Sequence, residues 1–212
     1  MKWLLGIDQL VVEQIKVGAD NFSYLIYDPG SGEGAIVDPG IDSSEALEKA
    51  ERMGLDLKYV INTHHHVDHT GDNSKVMERT GAKLVASEEA SGQLIQPVDI
   101  EVGDESVLDL GDMNLRFLKT PGHTKDGICI IVDDMCLLTG DTLFIGDCGR
   151  CDLSGSSIDD MFRSLQKLKE LDMSLIIYPG HDYGPMPFDT LGNQVRSNKA
   201  MQAKSAEELS DL

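Results

Sequence analysis

Positive charge is what this sequence has least of. Its 18 Lys and Arg stand against 37 Asp and Glu, a formal charge of −19, and no basic stripe interrupts the excess. Binding to nucleic acid or to an anionic membrane runs on clustered Lys and Arg, so neither partner is expected, and the acidic balance reads as a solubility or salt-adapted surface. Cysteine is scarce as well. Cys129, Cys136, Cys148 and Cys151 are too few for a disulfide framework in a chain of 212 residues and suit a reducing compartment. Long apolar runs are missing. The opening MKWLLGIDQL offers one Lys and a five-residue apolar run cut short by Asp8, too little for a signal-peptide core or a membrane span, which makes the cytoplasm the expected location. There is no low-complexity linker either. With ordinary hydrophobic (41%) and charged (26%) fractions, the expectation is one domain over residues 1–212, large enough to bury roughly 70% of its unfolded surface. The sequence is compatible with a homo-oligomer.

What is present reads first as strands. LVVEQIKV, NFSYLIYD and AIVD carry β-branched and aromatic residues between Gly and Pro punctuation. EALEKAERMG repeats Ala46, Leu47, Ala50 and Met53 at helical spacing, with Gly54 as its stop. LKYVIN is a buried strand feeding THHHVDHTGD, followed by a helix in NSKVMERTG and a strand in AKLVAS. Short strands from Val98 to Leu118 end in TPGHT, and GICIIVDD with MCLLTGD forms a hairpin ending at Asp141. SIDDMFRSLQKLKELD is an amphipathic helix with a Ser cap, SLIIYPGHD a strand, and QAKSAEELSDL a closing helix with a frayed end. YLIYDPGSGEGAIVDPG and ICIIVDDMCLLTGD share the order strand, turn, strand, Asp; two such halves suit a pseudo-symmetric sandwich.

Histidine carries the functional argument. All six fall in three turn motifs: four in THHHVDHTGD, His123 in TPGHT and His181 in YPGHD. Side chains alternate along an extended segment, so His64 and His66 project together while His65 points away. Asp68 and His69 follow where the chain turns into a helix and aim at a neighbouring position. The spacing therefore describes two metal positions: His64, His66 and His123 for one, Asp68, His69 and His181 for the other, with Asp141 bridging them. Nitrogen and oxygen donors without thiolate suit zinc, iron or manganese, and two zinc ions are expected. Asp68 is the candidate catalytic carboxylate, able to orient a hydroxide and take up its proton.

HHHVDH, PGHT, TGDTLF and YPGHD together resemble the metallo-β-lactamase superfamily, from the VDPG turn at 37–40 through His181. The resemblance implies an α/β (α+β) fold, the αββα four-layer sandwich of two mixed β-sheets flanked by helices, with metals at the sheet edge. Through GDTLFIGDCGR and YPGHDYG the sequence is most similar to the glyoxalase II group of thioester hydrolases and to the persulfide dioxygenases. The first likeness implies a hydrolase acting on a small-molecule thioester or thiol-derived substrate of the hydroxyacylglutathione type, with Arg150 and Tyr183 near the substrate. The helical domain that helps such enzymes hold glutathione would need more chain than follows His181. The second implies a single non-haem iron on His64, His123 and Asp141; CGRCD matches its CGRxD pattern, while Cys151 and Leu153 stand where Thr and Phe are usual. The CxxC formed by Cys148 and Cys151 sits in a loop rather than opening a helix, against a redox dithiol.

Overall fold

A computed structural model describes residues 12–212. Twelve strands form two six-stranded sheets. The first holds β1 (Val12–Val17), β2 (Asn21–Tyr27), β3 (Glu33–Val37), β4 (Asp56–Ile61), β5 (Lys83–Ser87) and β6 (Ile100–Val102) in sequence order. β1, β2 and β3 pair antiparallel, and β3 through β6 pair parallel. The second holds β7 (Val107–Leu110), β8 (Met113–Lys119), β9 (Ile128–Val132), β10 (Cys136–Gly140), β11 (Ile176–Pro179) and β12 (Asp189–Thr190), again neighbour to neighbour. Here only β10 and β11 are parallel.

Strand periodicity makes the layers. In the first sheet Ile26, Val37, Ile61 and Val85 face the other sheet, and their neighbours Leu25, Ile36, Val60 and Leu84 face outward. The second sheet does the same with Phe117, Ile130 and Leu138 inward and Leu118, Ile131 and Leu137 outward. Each outer face is apolar and must be covered. Ala46, Leu47 and Ala50 of α1 (Ser44–Met53) and Val76 of α3 (Asn73–Thr80) cover the first; between those helices lies the one-turn α2 (Val67–Thr70). Met161, Leu165 and Leu168 of α4 (Ile158–Leu168) cover the second. The αββα sandwich with mixed sheets is the fold expected from the sequence. The paired halves also appear: hairpin β2–β3 ends at Asp38, hairpin β9–β10 at Asp141, and each second strand then takes a parallel neighbour.

Leu10 and Val11 of the first strand motif lie outside the described residues. The closing helix expected in QAKSAEELSDL is α7 (Ala206–Ser210), and two short helices that the sequence did not announce precede it, α5 (Leu191–Ser197) and α6 (Lys199–Gln202). Thr190, Asn198 and Ser205 explain the breaks, because each turns its side-chain oxygen to a backbone N–H and starts a new helix.

Candidate metal centre

Four loops leave the C-terminal ends of β4, β8, β10 and β11 at one edge of the sandwich and carry every residue the histidine argument named. The sheets are tied there by Phe22 N–H to the Gly180 carbonyl (2.8 Å) and Ile128 N–H to the Thr63 carbonyl (2.9 Å). Glycine permits the closeness. A Cβ on Gly180 would stand 2.2 Å from Asp141 Oδ1, and one on Gly149 would stand 1.8 Å from the Asp141 carbonyl oxygen.

The ligand atoms form three overlapping groups, each within 4.8 Å: His64, His66 and His123; His64, His69 and Asp141; Asp68, His69 and His181. Proton positions follow from the partners. His123 Nδ1 lies 2.8 Å from the Arg150 carbonyl, which can only accept, so Nδ1 carries the proton and Nε2 is bare. Thr63 Oγ1 donates to Asp38 Oδ2 at 2.6 Å, so it accepts from His64 Nδ1–H at 3.1 Å, which leaves His64 Nε2 bare. Both bare nitrogens face His66 Nδ1, at 3.1 and 3.0 Å. Two bare nitrogens converging on a third imidazole nitrogen form a donor set that a cation can occupy once His66 takes the tautomer with Nδ1 unprotonated. Tetrahedral donors ~2.0–2.1 Å from zinc stand about 3.3 Å apart, so the trio fits such an ion with little movement.

The second group needs positive charge for another reason. His69 Nδ1–H donates to Asp38 Oδ2 at 3.0 Å, and its Nε2 faces His181 Nε2 at 3.3 Å, Asp141 Oδ1 at 3.4 Å and Asp68 Oδ2 at 3.6 Å. Burial opposes an imidazolium at His69, yet Asp141, Asp38 and Asp68 outweigh it and hold its pKa up to about 9. Burial likewise works against charge on Asp141, and the facing His69, His181 and His64 overcome it, keeping the carboxyl well below the usual carboxylate range. Asp141 Oδ2 reaches both groups, 3.5 Å from His123 Nε2 and 3.3 Å from His181 Nε2. Its buried Oδ1 has no hydrogen-bond donor, as suits an atom meant for a metal.

Sequence comparison agrees with this arrangement. The profile of the Metallo-beta-lactamase superfamily matches residues 18–181. The chain belongs to that superfamily. Among superfamily relatives, the hydroxyacylglutathione hydrolase of Methylococcus capsulatus is 37% identical over 175 residues, covering 82% of this chain and 67% of the relative. ETHE1 from Myxococcus xanthus superposes with a TM-score of 0.86 at 28% identity, covering 94% of this chain and 88% of that one. TTHA1623, solved in a di-iron-bound form, gives a TM-score of 0.73 at 25% identity, covering 88% and 98%. Superfamily membership and the His/Asp cluster together imply use of a divalent metal.

Other residues of this metallo-β-lactamase chain fall around the cluster. His65 points away from it, as alternation requires, and pairs with the buried Asp126 at 2.7 Å. Tyr183 stacks on His181 with ring centroids 4.7 Å apart. Arg150 lies at the mouth of the site but is gripped twice by Asp152. Burial pushes the Cys148 thiol up to about 12 and Cys151 to about 11, the reverse of an activated dithiol. The sequence reading passed over Asp38, which accepts from Thr63 N–H, Thr63 Oγ1–H and His69 Nδ1–H, and Asn21, which donates to Asp68 Oδ2 at 3.0 Å. Asp38 stood in VDPG as an ordinary turn residue; its equivalence to Asp141 in the paired hairpins was the available signal.

Among the described residues no helix is long and apolar enough to cross a membrane.

Proposed function

We propose that this protein is a dinuclear metal-dependent hydrolase cleaving a hydroxyacyl thioester of the hydroxyacylglutathione type. The convergence of the His64, His66 and His123 ring nitrogens within 4.8 Å of one another, with His64 Nε2 and His123 Nε2 bare, carries the reading. In it, His64, His66 and His123 would hold one ion, Asp68, His69 and His181 would hold the other, and Asp141 would serve both. Zinc is the proposed metal; iron and manganese suit the same donors. Such ions, when bound, supply a Lewis acid for the thioester carbonyl and lower the pKa of water towards about 7.

The chain's own groups supply the rest. Asp68 is 42% exposed on its side chain and is steadied by Asn21, so it can take a proton from the attacking water and return it to the departing sulfur. Water adds to the carbonyl carbon, the C–S bond breaks, and acid and thiol leave. Asp38 and the Arg150 carbonyl hold the His69 and His123 rings in one tautomer each. Arg150 and Tyr183, which flank a cavity of about 220 Å³ that includes His123 and Asp141, are the proposed substrate contacts. We also propose that residues 1–212 form a single domain and that the protein works in the cytoplasm. Release of free thiol from S-lactoylglutathione or from its diamide by metal-loaded protein, abolished by a chelator, supports the function; no thiol release from either with metal bound would refute it.

The CGRCD loop favours a second reading. Its Arg150–Asp152 pair matches the persulfide dioxygenase pattern, and His64, His123 and Asp141 could hold a single iron. Oxygen uptake dependent on a persulfide, with one iron per chain and no thioester cleavage, would select it.

A further inference from the structure

The cavity beside His123 and Asp141 continues outward. A second one, of about 590 Å³, shares Asp147, Cys148 and Arg150 with it and extends to Ile158, Leu209 and Leu212. A substrate whose reacting carbonyl meets the metal cluster would lay the far end of its thiol carrier in this outer cavity. Among its lining residues Arg150 is the one cation, set against the carboxylates of Asp147 and Asp152. Arg150 is already engaged: Nε donates to Asp152 Oδ1 at 2.6 Å and Nη2 to Oδ2 at 2.7 Å, a two-point grip. A carboxylate arriving from the carrier would meet a guanidinium whose charge is balanced, with Asp147 as a further repulsion. The remaining wall is largely apolar.

We propose that Asp152 competes with the substrate for Arg150, making this groove selective for thiol carriers that are uncharged at their far end over carriers ending in carboxylates. This rests on the thioester-hydrolase reading and narrows its carrier. Glutathione, with two carboxylates, is then a poor fit, and a carrier of the same shape with those groups masked is a better one. Asp152 is a specificity residue here, touching the group that touches the carrier.

S-methylglutathione and its diamide isolate the carboxylate charge, since they share size, sulfur and the α-ammonium group and cannot be hydrolysed at a thioester. Calorimetric titration of the full-length, metal-loaded protein should give a lower Kd for the diamide, with the gap closing as salt screens the repulsion. In Asp152→Asn the ratio of the two Kd values should move towards the diacid by roughly threefold or more, the scale of an exposed ion pair; Arg150→Gln should widen the wild-type gap. Tighter binding of the diacid to wild type, an unmoved ratio in Asp152→Asn, or binding of neither ligand would overturn the proposal. Failure to cleave thioesters would instead remove the hydrolase reading and leave the binding comparison standing.

Discussion

Asp38→Asn is the sharpest probe of how the second metal position is built. Asp38 is buried, and its carboxylate accepts from Thr63 N–H at 2.8 Å, Thr63 Oγ1–H at 2.6 Å and His69 Nδ1–H at 3.0 Å. Asparagine keeps the volume and tolerates the left-handed backbone found there, φ 48°, so the turn survives. It removes one accepting oxygen and the charge. An amide N–H placed opposite His69 Nδ1 drives the imidazole proton to Nε2, where it occupies the lone pair that faces Asp68, Asp141 and His181. Loss of a carboxylate behind a metal-binding histidine costs about 10- to 100-fold in metal affinity, or about 1.4 to 2.8 kcal/mol. Competition with a chromophoric chelator measures it directly, and should show both metals released at lower chelator concentration, the one near His69 most, because Thr63 Oγ1 loses the same acceptor and with it the tautomer of His64. Retention of both metals at the wild-type chelator concentration in a folded Asp38→Asn protein would refute the role given to Asp38.

Further outcomes follow from the same geometry. His123→Ala should lose the metal held with His64 and His66 and abolish turnover, whereas His65→Ala, touching Asp126 rather than the cluster, should keep both metals; metal content with kcat distinguishes them. Gly180→Ala should destabilise the protein and lower its metal content, because the new Cβ meets Asp141 Oδ1 at 2.2 Å and His69 Cε1 at 3.0 Å; denaturant melts and metal analysis check both. Asp28 accepts hydrogen bonds from the Gly30 and Ser31 N–H groups of its own turn and from Asp112 N–H in the β7–β8 turn, and Ser31, Asp112 and Gly30 hold its carboxyl well below the usual carboxylate range. A carboxyl lowered by folding stabilises above its unfolded pKa of about 3.9 and loses that contribution as pH falls below it. Asp28→Asn should therefore be less stable than wild type at neutral pH, with the difference shrinking in acid; an equal difference at both pH values would contradict this.

The histidines were legible because their period was local: His64, His66, Asp68 and His69 lie within six residues, and alternation alone separates His65 from its neighbours. Helix α4 and the inward and outward strand faces were legible for the same reason, being set by periods of 3.6 and 2. The two mixed sheets came from family resemblance and their strand order only from the structure, since nothing local tells β3 to pair with β4 or β10 with β11. Asp38 was missed because its partners, Thr63 and His69, lie 25 and 31 residues away and VDPG has the composition of any turn. The Arg150–Asp152 grip was missed for the opposite reason: the residues are two apart, and only the loop's conformation brings their side chains face to face. The three short tail helices depended on Thr190, Asn198 and Ser205 acting as caps, a choice made by the packing of α5 to α7 rather than by their polarity alone.

The central claim is that two adjacent positions, sharing Asp141, both hold metal. Elemental analysis of protein purified without added metal, with anomalous scattering from its crystals to place the ions, tests it most directly. The account requires about two ions per chain, one among His64, His66 and His123 and one among Asp68, His69 and His181. A single ion on His64, His123 and Asp141, with Asp68 and His69 unligated, would contradict it.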